Sequence, residues 1–104
     1  MPEPVTPAKR IELDASRWSS RDDFYKDFLA GLGAPDWHGH NLDALWDSVR
    51  GGSINQIAPP FYVEIAGTLP LPHELRDYLR KVEALFDEAK AEGVNIGIRF
   101  HPPL

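Results

Sequence analysis

The chain has 104 residues, which suits one domain with a real core. Its net charge of -5 argues against nucleic acid as a direct partner, because phosphate binding needs a basic patch, and leaves room for a cationic protein partner. The absence of cysteine excludes a disulfide framework, a thiol nucleophile and a cysteine zinc site, and it fits a cytoplasmic location, where disulfides are rare. Residues 1–8 carry Pro2, Pro4 and Pro7 and read as a flexible N-terminal arm. They hold no long apolar segment, so no signal peptide is expected there, and no stretch approaches the roughly 18 apolar residues of a membrane span.

Residues 9–104 read as a single domain. Arg10-Ile11-Glu12-Leu13 alternates and predicts a short strand. Ser20 and Asp23 mark a helix start. Phe24, Phe28, Leu29 and Leu32 form the apolar stripe of a first helix over 21–32. Gly31 and Gly33 end it, with Pro35 beyond. Asn41 caps a second helix, whose stripe is Leu42, Leu45, Trp46 and Val49 and whose end is Gly51-Gly52. Phe61 to Ile65 is the second strand. Pro72 suits the first turn of a third helix, and Leu75, Tyr78, Leu79, Val82, Leu85, Phe86 and Ala89 keep its stripe. Gly93 caps it, and residues 94–100 form the last strand before Pro102-Pro103.

Helical crossovers between strands predict an α/β fold with a three-stranded parallel sheet and three to four helices. Parallel strands usually read as continuous apolar runs, because both faces are covered. All three strands here alternate instead. The expected arrangement is therefore two layers, with the helices mainly on one face of the sheet.

The second helix holds the most informative residues. Asp43 and Asp47 lie one turn apart on a common face, where like charges repel by a few tenths of a kcal/mol. Asp43 is in the first turn, where the helix dipole favours an anion; Asp47 is near the other end, where the dipole disfavours one. A residue that opposes local preference is a candidate for a task elsewhere. No lysine or arginine lies between Lys26 and Arg50, whereas Asp27, Asp36, Asp43 and Asp47 do. Trp37 stands in the preceding loop beside Gly39. An acidic helix face next to a loop tryptophan suits docking to a basic partner. The same residues also read as a solvated acidic face with a half-buried tryptophan.

Trp37-His38-Gly39-His40-Asn41-Leu42-Asp43-Ala44-Leu45-Trp46-Asp47 resembles the barstar family, whose type member has an aromatic loop, a glycine and then the run Asn-Leu-Asp-Ala-Leu-Trp-Asp. Phe86-Asp87-Glu88-Ala89-Lys90-Ala91-Glu92-Gly93 resembles the end of that family's last helix. The resemblance implies an intracellular inhibitor of secreted barnase-type ribonucleases, monomeric when free and bound to the enzyme one to one. It implies that the helix and its loop plug the enzyme's active site, with Asp47 in the place of an RNA phosphate. Asp43 becomes a second acidic contact, Glu88 an outlying one, and Trp37 the aromatic that meets the enzyme's catalytic histidine. His38, Gly39, Asn41, Trp46 and Gly51 complete the implied partner-binding set. No cofactor, metal or catalysis is implied. The sequence departs from the type member at His38, where a tyrosine stands, at His40, where a glutamate stands, and at Gly52, where a tryptophan stands. Such changes leave the acidic centre and alter its rim, where partner preference is often set. The segment between the second strand and the last helix is also shorter, so one short helix is expected to be missing.

Two other readings use the same residues. A barstar-like module could serve a partner that is not a ribonuclease, since a fold does not settle function. A small metal-dependent enzyme could use His38 and His40 with nearby aspartates, but nothing fixes its remaining ligands.

Overall fold

The structure, a computed structural model, describes residues 9–34, 39–49 and 60–104. The expected N-terminal arm, Trp37, His38 and the glycine pair Gly51-Gly52 lie outside these. The element order is β1 (Lys9–Asp14), α1 (Arg21–Leu32), α2 (Leu42–Val49), β2 (Phe61–Ala66), α3 (His73–Ala91) and β3 (Ile96–His101). This is the expected α/β order, with three helices among the described residues. Residues 67–72, between β2 and α3, contain none.

The sheet is parallel throughout, in the order β1-β2-β3. Its register aligns Ile11 with Val63 and Ile98, and Leu13 with Ile65 and Phe100. Neighbours in register share a face. One face therefore carries these apolar residues together with Phe61 and Ile96. The other carries Arg10, Glu12, Asp14, Tyr62, Glu64, Ala66, Gly97, Arg99 and His101. In β2, Phe61, Val63 and Ile65 are buried while Tyr62 and Ala66 are exposed. The alternation thus matches a sheet that, among the described residues, is covered on one side only. On the open side, His101 Nε2 bonds Glu64 and Arg10 pairs with Glu12. The Tyr62 ring lies on Gly97, where a Cβ would come within 2.6 Å of it.

The covered face is built by α1 against β1 and α3 against β3, while α2 rests on α3. Phe24, Tyr25, Phe28, Leu32, Leu45, Val49, Leu79, Val82 and Phe86 join the strand residues in one core. Trp18 is buried, and its indole N–H donates to Asp27 at 2.7 Å.

The helix ends follow from named residues. Asp23 accepts from the Ser19 and Ser20 amides at 2.8 and 3.2 Å, the reach-back half of a capping box. Gly33 and Gly93 have φ of 67° and 95°. Beyond Gly33, the Ala34 amide donates to Leu29; beyond Gly93, the Val94 amide donates to Ala89. Both are Schellman closures, which need a residue that tolerates positive φ.

Three assignments differ from the sequence reading. Gly31 lies inside α1, where a Cβ would meet Ile11 Cγ2 at 2.8 Å, so it permits close approach of helix and strand instead of ending the helix. Pro72 is the N-cap of α3, extended at ψ 148°, and not in its first turn. The last strand starts at Ile96 and not at Val94, because the Val94 amide closes α3.

Candidate functional site: a partner-binding face

The N-terminal end of α2 is set by Asn41. Its side-chain oxygen accepts from the Ala44 amide at 2.8 Å, and its carbonyl from the Leu45 amide at 3.0 Å. The first of these satisfies one of the donors a helix start leaves open, and the second is the first bond of the helix ladder. Gly39 lies close by: a Cβ there would fall 2.8 Å from Asn41 Nδ2 and 3.2 Å from the Ala44 Cβ. A side chain at position 39 would have to displace the capping amide of Asn41 and crowd Ala44.

The helix is two-sided. Leu45, Ser48 and Val49 are buried, and Asp43 and Asp47 are exposed. Asp43 lies in the first turn, and the described residues of the last turn, which ends at Val49, include no basic side chain. Trp46 is half-buried and packs against the core.

Across from α2, helix α3 presents Lys81, Ala84, Leu85 and Glu88. Together with Leu42, Asp43 and Trp46 they line one open groove of about 510 Å³. The structure thus brings Asp43, Trp46 and Glu88 together from two helices far apart in sequence. Asp47 lies one turn beyond Asp43 on the exposed side and is not part of the groove wall. Trp37, His38 and Gly51 lie outside the described residues, as does Asp36.

On the other side of the groove the resemblance names Glu88, but sequence reasoning missed Lys81, Ala84 and Leu85 beside it. Lys81, Leu85 and Glu88 share a face of α3 by their spacing, which was readable. That this face meets α2 was not readable, because it depends on how α2 rests on α3. Asp27 also changes meaning, since its carboxylate serves the buried Trp18. His40, the described half of the histidine pair, is stacked on Tyr25 and bonded to Asp22. Among the described residues no group of three or more His, Asp or Glu side chains could hold a metal. Among the same residues no helix is long and apolar enough to cross a membrane.

A family model described as Barstar (barnase inhibitor) matches residues 8–102. The chain belongs to the barstar family. The match runs from the first strand to the residue after the last, so it covers both segments that carried the resemblance and everything between them. Members of this family are inhibitors and not enzymes, and their kind of partner is a barnase-type ribonuclease. In this barstar-family chain the residues at the family's acidic run, Asp43 and Asp47, keep both carboxylates outward, and Glu88 of α3 borders the same side of the molecule.

Proposed function

We propose that this chain is a cytoplasmic inhibitor of a secreted barnase-type ribonuclease, binding it one to one through α2 and the residues that precede it. The observation that carries this reading is a short helix with two exposed carboxylates one turn apart, anchored from behind by Leu45, Ser48 and Val49. Such carboxylates offer acceptor oxygens like those of phosphate, and arginine side chains engage either group with two parallel hydrogen bonds. In this mechanism Asp47 occupies the place of an RNA phosphate among the enzyme's cations. Asp43 makes a second acidic contact and Glu88 an outlying one across the groove. Trp37 meets the catalytic histidine, and His38, Gly39, Asn41, Trp46 and Gly51 complete the contact surface. The chain acts by occupancy, without cofactor, metal or chemical step.

The test is an inhibition assay against a panel of guanyl-preferring bacterial ribonucleases. Stoichiometric inhibition of at least one supports the reading. Failure against the whole panel leaves a barstar-like module with another kind of partner.

A further inference from the structure

His40 stands directly before the N-cap of α2, and the docking role gives it no task. In the structure it is held from two sides. Its ring stacks on that of Tyr25 in α1, with centroids 5.4 Å apart and planes 16° apart. Its Nδ1 lies 3.2 Å from Asp22 Oδ1, also on α1. An ionised carboxylate can only accept, so Nδ1 carries the proton in this bond. Tyr25 is itself fixed: it is fully buried, and its hydroxyl meets that of Tyr78 on α3 at 2.5 Å. A chain of contacts thus runs from α3 through α1 to residue 40. Its next link is Asn41, whose side chain and carbonyl hold the Ala44 and Leu45 amides.

The geometry points to His40 as a positioning residue: through Tyr25 and Asp22 it clamps the N-terminal end of α2, and so fixes the direction in which that helix presents Asp43 and Asp47. Docking of a surface ordered in advance loses less conformational freedom on binding. The functional consequence rests on the docking role proposed above; the clamp itself does not.

The first measurement is amide hydrogen exchange in the free, full-length chain. It follows Ala44 and Leu45 at the start of α2, with Val82 in the buried side of α3 as reference. His40→Ala should speed exchange at Ala44 and Leu45 about three- to tenfold, as expected for loss of one ring stack and one exposed hydrogen bond. Val82 should be unchanged. His40→Phe keeps a ring against Tyr25 and should restore most of the protection. Unchanged exchange at Ala44 and Leu45, equal acceleration at Val82, or no recovery with phenylalanine would each overturn the clamp. The second measurement is inhibition of a barnase-type ribonuclease that the parent chain inhibits. His40→Ala should raise the inhibition constant by a similar factor, and His40→Phe should recover most of it. Faster exchange with unchanged inhibition overturns the functional half. A parent chain that inhibits no barnase-type ribonuclease overturns the docking role, and with it that half, while exchange still decides the clamp.

Discussion

Asp47 is tolerated in the free protein and is not favoured there. It is an anion in the last turn of a helix, one turn from Asp43, and the described residues of that turn include no basic side chain; Arg50 follows them in the sequence. Removing it relieves unfavourable terms of roughly 0.3–1 kcal/mol. In the proposed complex the same carboxylate is desolvated among several cations. Truncating one side of such a pair typically costs about 2–5 kcal/mol, a range drawn in part from the barnase–barstar complex itself. Asp47→Ala should therefore weaken inhibition by at least thirtyfold, roughly the factor that corresponds to 2 kcal/mol, and leave the free chain as stable or slightly more so. Glu88 lies on the far wall of the groove and is exposed. Water screens it, and Glu88→Ala should cost about 1 kcal/mol or less. Inhibition constants and thermal midpoints of the two variants decide the matter. An Asp47→Ala protein that inhibits like the parent removes the phosphate-mimic mechanism, and one that fails to fold makes Asp47 structural.

The elements were legible wherever a local pattern determines them. The bounds of α1 follow from its apolar stripe, from Asp23 and from Gly33. The one-sided sheet follows from alternation in three strands. What was not legible depended on contacts between elements. Gly31 looked like a helix terminator because glycine is a poor helix former. Its role appears only when α1 is laid on β1 and Ile11 occupies the space a methyl would need. The same limit hid the α3 wall of the groove and the link from His40 to Tyr25, since both join segments distant in sequence. Gly31→Ala separates the two views. Helix propensity alone would stabilise by about 1 kcal/mol. Overpacking against the branched, buried Ile11 costs about 1–3 kcal/mol. The net expectation is a loss of up to about 2 kcal/mol, read as a lower urea midpoint with unchanged slope. A rise in the midpoint would show that α1 and β1 can separate without cost.

At the scale of the molecule, charge sets both encounter and pH response. The net charge of -5 would steer the chain toward a basic enzyme, and salt would screen that attraction. The Debye length falls from about 30 Å at 10 mM to about 3 Å at 1 M. Stopped-flow association with an inhibited ribonuclease should slow markedly over that range, with a much smaller change in dissociation. A salt-independent association rate would contradict the proposed electrostatic approach. For pH, three carboxyls are held below their usual range: Asp14 by the Ser16 amide, Asp23 by the Ser19 and Ser20 amides, and Glu64 by its bond with His101. A depressed carboxyl contributes stability above its unfolded pKa, near 4, and loses it as pH falls through the folded value. Tyr25 is displaced upward by burial, then by its bond with Tyr78. Its contribution is complete below the unfolded pKa of about 10 and fades as pH rises past it. Thermal midpoints should thus fall below about pH 4 and again above about pH 10, and Glu64→Gln should flatten the acid limb. A midpoint that climbs on acidification below pH 4 would refute the assignment of these carboxyls.

Helix α2 is short, spanning Leu42–Val49. Isolated helices below about 12–15 residues are marginal in water. The spacing of its two carboxylates therefore does not belong to the segment that encodes it. It exists only while Leu45 and Val49 remain seated in the core and α3 remains beneath. An excised peptide with the same letters would sample many separations of the two charges, and the motif could not be grafted as a linear tag. For the same reason inhibitory titre would serve as a gauge of the folded fraction: every molecule that counts in the assay must already have assembled a sheet whose paired strands lie tens of residues apart.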